Sequence, residues 1–177
     1  MLVTLGGQER QESLVDLLLE CHHRIRHFSG VSVKLATLRE LNAEEISEGS
    51  ARCLRYFGEA LPLHVEDEER SLLPRLVKVD PKLSKVLCTM KEQHQGHEPL
   101  IGRLLEMLTR VQVAPLDQQR RADLRDSAER FSKEIETHLH LEESDIFPLI
   151  EGCLSQEAQD EILAELRDRR VDSFRAP

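Results

Sequence analysis

The sequence predicts an all-α protein that folds as an antiparallel up-and-down four-helix bundle with a short C-terminal extra helix. Composition points to helices, because the 177 residues include only eight glycines, seven prolines and 3% aromatic residues. Strands favour aromatic and β-branched side chains instead. Apolar residues also recur at helical spacing through nearly the whole chain. The connections between these stretches are short, and short connections make neighbouring helices antiparallel.

The first two helices can be placed from their apolar stripes and from one capping signal. The stripe of the first helix consists of Leu14, Leu18, His22 and Ile25. This helix is predicted to end near Leu41, because Asn42 followed by Glu45 has the pattern of a capping box. The stripe of the second helix consists of Cys53, Phe57, Leu61, His64, Glu68 and Leu72.

The third and fourth helices follow from similar signals. Asp80 and Pro81 give an N-cap with proline at the first helical position. The third stripe then consists of Leu83, Leu87, Met90, His94, Ile101, Leu105 and Leu108. A loop over residues 113–119 precedes the fourth helix, whose stripe consists of Leu124, Phe131, Ile135, His138 and Glu142.

Gly152 and Ser155 separate the fourth helix from an amphipathic tail. No stretch between the predicted helices has the composition of a linker. We therefore predict a single domain over residues 1–177, with a core of about 10–152 and a helical tail of about 155–171.

One motif occurs twice, 74 residues apart, at residues 64–76 and 138–150. Both copies read H-x-x-x-E-E-x-x-[LI]-[LF]-P-x-[LI]. A further histidine lies on the preceding helix in each half: His22 is 42 residues before His64, and His94 is 44 residues before His138. The chain is thus predicted to contain two similar helical hairpins, each with the same set of side chains.

The repeated residue types predict a metal site. Residues four apart lie on one face of a helix, so each motif presents an imidazole beside a carboxylate. A carboxylate that faces the bundle interior needs a cation, because an unpaired buried charge costs several kcal/mol or more. Imidazole and carboxylate together suit iron, manganese or zinc. The predicted ligands of a dinuclear centre are His22, His64, Glu68, His94, His138 and Glu142.

Two of these positions have competing neighbours. His22 is favoured over His23 because its apolar neighbours one turn away share its face. His97 lies three residues after His94 and can face inward as well, as an additional or alternative ligand. The equal separation of 41 residues that links His23 and His97 to the motif histidines keeps both alternatives open.

Other residues of the motif are expected to have supporting roles. Glu69 and Glu143, one residue beyond each motif glutamate, are predicted to accept hydrogen bonds at the rim of the centre. Asp67 is interpreted as a solvated charge. Pro74 and Pro148 are expected to kink or end their helices.

The order and spacing of these residues resemble those of the hemerythrin-like, HHE cation-binding family, over about residues 10–152. The resemblance implies an antiparallel four-helix bundle that holds two non-haem iron ions with a bridging oxo or hydroxo group. It implies that His64 and His138 are terminal ligands and that Glu68 and Glu142 bridge the two ions, with the isolated histidines completing the set. The chain differs from the blood-type members of marine invertebrates, because its second bridging carboxylate is a glutamate.

The expected function is the binding of, or reaction with, a small oxidant such as dioxygen, hydrogen peroxide or nitric oxide. Binding or sensing is favoured over catalysis. One alternative is an iron-donating protein for the repair of damaged iron–sulfur clusters, and another is a metal-free structural bundle.

Composition also bears on partners and location. A net charge of −9 argues against nucleic acid as a partner. No apolar run is long enough to cross a membrane. Four scattered cysteines and the absence of an export signal in residues 1–14 predict a cytoplasmic protein, with a separate protein partner or a homodimer as further expectations.

Overall fold

A computed structural model describes residues 13–113 and 116–175 of the chain. These residues contain helices and no strand, which confirms the predicted all-α class. The helices are α1, Leu14–Thr37; α2, residues 43–79; α3, Ser84–Val113; α4, residues 118–153; and α5, Gln156–Arg175. Residues 1–12, which make up most of the segment in which no export signal is predicted, lie outside the described residues. Residues 114–115, in the loop before α4, lie outside them as well.

Helices α1 to α4 form the predicted bundle. Helix α1 packs against α2 and α4, and α3 packs against the same two helices, so the four close into a ring. Helix α5, the predicted tail, packs against α1 and α2 at one end of the bundle. Within the described ranges, no helix is long and apolar enough to cross a membrane.

The helix starts follow the capping signals of the sequence. The Asn42 side chain accepts hydrogen bonds from the backbone of Glu44 and Glu45, and the Glu45 carboxylate accepts one from the Asn42 backbone at 2.8 Å. Asp80 caps a short 3₁₀ turn, Pro81–Leu83, that leads into α3. These contacts satisfy backbone N–H groups that a helix start leaves unpaired.

Helices α2 and α4 are interrupted by π turns, in which the backbone bonds to the fifth residue back. The segments of α2 are Ala43–Arg55, the π turn Tyr56–Ala60, Leu61–Glu66, the π turn Asp67–Leu72, and Leu73–Val79. Those of α4 are Gln118–Leu141, the π turn Glu142–Ile146, and Phe147–Cys153. Each π turn is followed within two residues by a proline: Pro62, Pro74 or Pro148. Proline cannot donate a backbone bond and crowds the preceding turn, and the wider turn accommodates it without ending the helix.

The core consists of two apolar clusters separated by a polar layer. One cluster is centred on the large side chains Phe57 and Phe131, and the other contains Leu72 and Phe147 together with apolar residues of α5. The predicted ligands lie between the clusters; His22, for example, stands between the buried Leu18 and Ile25 of α1. The fold therefore surrounds the polar layer with apolar side chains above and below.

Candidate metal centre

The structure brings the six predicted ligands together from four helices. Each is buried, with at most 6% of its surface exposed; they are His22, His64, Glu68, His94, His138 and Glu142. Their nitrogen and oxygen atoms form two groups, each within 4.8 Å, that could hold a metal ion. The groups are His22, His64, Glu68 and Glu142, and Glu68, His94, His138 and Glu142. Both glutamates thus belong to both groups.

Each carboxylate faces a different histidine with each of its oxygens. Glu142 Oε1 is 2.9 Å from His138 Nε2, and its Oε2 is 3.1 Å from His22 Nε2. Glu68 repeats this arrangement: its Oε1 is 3.3 Å from His64 Nε2, and its Oε2 is 3.3 Å from His94 Nε2. The two glutamates therefore have the geometry expected of groups that span two metal positions.

Two further glutamates fix the orientation of two of these histidines. Glu143 Oε1 lies 2.8 Å from His22 Nδ1, and Glu69 Oε1 lies 2.9 Å from His94 Nδ1. Arg26 donates to Glu143 at 2.6 Å and braces it from outside. A carboxylate only accepts, so both histidines donate from Nδ1, and in a neutral ring Nε2 is then left without a proton.

The two motif histidines, His64 and His138, differ in whether their Nδ1 atoms have a hydrogen-bond partner. Nδ1 of His138 lies 2.9 Å from the acceptor Oε1 of Gln93 on α3. Nδ1 of His64 is buried and has no hydrogen-bond partner in the described part of the chain. Gln93 is a residue that the motif could not indicate, since it precedes His94 on another helix. His64 is consequently the least restrained ring of the four.

The inward-facing atoms of the cluster fit a metal ion. Among the described residues, both oxygens of Glu68 and Glu142 and the Nε2 atoms of His22 and His64 are buried without a hydrogen-bond partner. Nε2 of His94 and Nε2 of His138 approach each other to 3.1 Å. Buried polar atoms are almost always paired. A cluster of unpaired lone pairs at the centre of a core is accounted for by bound cations.

The pKa values of the cluster without metal also indicate a cation site. Burial acts to lower the pKa of His94, but the close carboxylates of Glu142 and Glu68 outweigh it and raise that pKa to about 10. Burial acts to raise the pKa of Glu142, but the close rings of His138 and His22 hold it well below its usual range. Without metal, protons on His22 and His94 would thus neutralise the carboxylates, so metal ions must displace protons to bind.

The competing histidines lie in different places. His23 is exposed, with 69% of its side chain accessible, and its nearest acidic neighbour is Glu20 at 3.9 Å, away from the cluster. His97 is buried, and its ring packs edge-to-face against His138 at 5.0 Å between centroids. Burial, with the charges of His138 and His94, lowers the pKa of His97 to about 4, so it is neutral at physiological pH. His97 is near the cluster but belongs to neither four-residue group.

The expectation that Asp67 is solvated is wrong. Asp67 is 1% exposed, and its carboxylate pairs with Arg169 and, at 2.7 Å, with Arg170 of α5. Arg170 also donates to the thiol of Cys21 at 3.6 Å. Asp67 directly precedes Glu68 and Cys21 directly precedes His22, so α5 contacts side chains next to two predicted ligands. The signal in the sequence was the difference between the motif copies, because leucine occupies the position of Asp67 in the second copy.

A cavity of about 480 Å³ opens beside the cluster. At its buried end it is lined by His64, His94 and His138. Its walls include the apolar side chains of Phe57, Leu61, Ile101, Leu105, Ile135 and Leu139. A small molecule could thus reach the side of the cluster formed by α2, α3 and α4.

Comparison with known proteins gives two results. A family model described as the hemerythrin HHE cation binding domain matches residues 13–150, and it matches again over residues 89–170. An uncharacterized protein of Haemophilus influenzae is 28% identical over 159 residues, which cover 88% of this chain and 89% of that protein. The first match includes all six residues of the buried cluster.

Proposed function

The chain belongs to the hemerythrin HHE cation-binding domain family, and we propose that it holds two non-haem iron ions that bind or react with a small oxidant. The proposed ligands are His22, His64, Glu68, His94, His138 and Glu142, with an oxo or hydroxo bridge completing the pair. The observation that carries the proposal is the convergence of buried, unpaired imidazole nitrogens and carboxylate oxygens between the four helices. A metal-free structural bundle would leave these atoms in contact but without well-aligned hydrogen bonds in the core.

Two ions are proposed because the donors divide evenly. One ion would take the α1 and α2 histidines with Glu68 Oε1 and Glu142 Oε2, and the other would take the α3 and α4 histidines with the opposite oxygens. Two divalent ions and two glutamates leave a net charge of +2, which a hydroxo bridge lowers to +1. This residual charge would favour the anionic forms to which dioxygen or peroxide is reduced, which supports an oxidant as the ligand.

Iron is the metal that this family and donor set favour, and a pair of ferrous ions supplies two electrons to an oxidant. The fold provides three further conditions for a reaction with an oxidant. Apolar layers exclude bulk water from the cluster, Glu69 and Glu143 hold two ligand rings in place, and the cavity provides access. Dioxygen, hydrogen peroxide and nitric oxide all fit this proposal. We also propose a cytoplasmic location, which is supported by four described cysteines that form no disulfide.

Elemental analysis of the freshly purified protein, with an optical spectrum in air, tests the proposal. We expect about two iron ions per chain and a near-ultraviolet absorption band of an oxo-bridged ferric pair. The adjacent histidines provide a matched pair of variants: His22→Ala should lose metal, whereas His23→Ala should keep it, because only His22 is buried in the cluster.

Several outcomes would contradict this assignment. Purification without metal, and stability unchanged by a chelator, would support the metal-free bundle. Equal metal loss in His22→Ala and His23→Ala would show that the cluster is not the binding site. Complete release of iron on exposure to nitric oxide or peroxide would favour the iron-donating alternative over a stable oxidant-binding centre.

A further inference from the structure

The cavity beside the cluster is much larger than a small oxidant requires. Its volume of about 480 Å³ compares with roughly 30 Å³ for a water molecule in the liquid. Cavities of roughly 300–1,000 Å³ are typical of sites for organic ligands and cofactors. This chamber therefore has room for a ligand that is larger than dioxygen, peroxide or nitric oxide.

The cavity has one buried polar end, an apolar middle and an exposed mouth. The buried end is formed by His64, His94 and His138, with the Glu69 carboxylate hydrogen-bonded to His94 and the buried ring of His97 beside them. The exposed lining residues at the mouth are Pro62, Gln95, Glu98 and Gly102. The walls between them are mainly aliphatic and aromatic. Such a chamber is complementary to a molecule with one polar end and an apolar tail.

The mouth of the cavity lies where α2 and α3 carry glycine or proline in place of larger side chains. At Gly102 of α3, an added Cβ would meet no atom within 4 Å. Pro99, one turn earlier, has no N–H to donate to the carbonyl of Gln95. Across the opening, Pro62 follows the first π turn of α2. The mouth is open at Gly102, so a larger side chain at this position should narrow it.

We propose that this cavity binds an organic amphiphile with a single oxygen-donor head group directed at the metal pair and an aliphatic tail along the apolar wall. The inference rests on the proposed metal centre, because the two ions give the buried end the positive charge that selects an oxygen head group over an amine. The tail would contact Phe57, Leu61, Ile135 and Leu139, and would extend past Leu105 towards Gly102. The function would then include an organic substrate or effector in addition to the small oxidant.

The test is calorimetric titration of the iron-loaded protein with sodium hexanoate, octanoate and decanoate, and with octylamine. Each additional buried CH₂ should tighten binding roughly fourfold, so octanoate should bind about 15-fold more tightly than hexanoate. Octylamine has the same tail and the opposite charge, and it should bind at least tenfold more weakly than octanoate. Octanoate should also alter the optical spectrum of the iron centre, which a molecule bound at the surface would not do.

Two variants test the position of the ligand. Gly102→Leu narrows the mouth and Leu105→Phe fills the middle, so each should weaken octanoate binding at least tenfold while iron content stays at the wild-type value. Gly30→Leu is the matched control, because it also replaces a helical glycine whose added Cβ meets nothing within 4 Å, but it does not line the cavity.

The outcomes separate this inference from the proposed function. A protein with its full iron content that does not bind octanoate, or binds octylamine as tightly, would overturn the inference and leave the metal centre intact. Equal octanoate binding in Gly102→Leu, Leu105→Phe and Gly30→Leu would also overturn it. A protein without iron would instead refute the proposed function.

Discussion

Replacement of the two adjacent glutamates of the second motif should have very different effects on metal binding. Glu142 is fully buried and faces three histidine rings within 3.8 Å. Its neighbour Glu143 has a side chain that is 26% exposed, and among the rings of the cluster it contacts His22, at the outer nitrogen. We therefore expect Glu142→Ala to disrupt both metal positions and Glu143→Ala to loosen one ligand.

The magnitudes follow from these contacts. Removal of one partner from a buried ionic contact costs about 3–5 kcal/mol, which corresponds to a weakening of roughly 10²- to 10⁴-fold for Glu142→Ala. Loss of the group that orients a metal-binding histidine typically costs about 10- to 100-fold, which is the expectation for Glu143→Ala. Glu136→Ala is the control, because Glu136 also binds Arg26 but contacts no ring of the cluster.

The assay is competition between each variant and a chelator of known iron affinity, with circular dichroism to show that the variant is folded. The expected order of metal affinity is wild type and Glu136→Ala, then Glu143→Ala, then Glu142→Ala. Equal losses in Glu142→Ala and Glu143→Ala would mean that the wrong carboxylates were assigned to the metals. A loss in Glu136→Ala as large as that in Glu143→Ala would refute the role of the Glu143–His22 contact.

Three further predictions concern stability and pH. Ferrous ion at about 100 times its dissociation constant should stabilise the protein by about 2.7 kcal/mol, or roughly 5–10 °C in melting temperature, and identical melting with and without iron would exclude a buried site. The raised pKa of His94, about 10 against an ordinary 6.5, stabilises the metal-free fold fully below pH 6.5, and this contribution is lost as the pH rises through 10. Because iron must displace that proton, metal affinity should fall by about tenfold per pH unit below pH 10, and affinity independent of pH would contradict this. Asp67→Leu should lower the free energy of unfolding in urea by about 3 kcal/mol, because it removes the buried carboxylate that pairs with Arg169 and Arg170 of α5, whereas Glu20→Ala, which removes an exposed pair with Arg24, should cost less than about 1 kcal/mol.

Helical periodicity predicted which of the candidate ligands face the core. His22 lies on the buried face because Leu18 and Ile25 share that face, and the same argument placed His23 on the polar side. The spacing of four residues between histidine and glutamate likewise predicted that each motif pair lies side by side. These features are local, and the period of an α-helix is enough to derive them.

Features that depend on distant contacts or on departures from α geometry were harder to predict. The π turns that begin at Asp67 and Glu142 change the register beyond each motif, and no periodic pattern marks them. The pairing of Asp67 with Arg170 joins residues 103 positions apart, so a local pattern made that aspartate look solvated. Gln93 is a similar case, because its role follows only from how α3 packs against α4.

The number of metal ions per chain tests the central claim most directly. Anaerobic titration of the metal-free protein with ferrous ion, followed by calorimetry and by the absorbance that appears on exposure to air, measures this number. The shared positions of Glu68 and Glu142 predict saturation at two ions per chain, with no further tight binding. Saturation at one ion, or no binding above that of the Glu142→Ala variant, would contradict a dinuclear centre in the bundle core.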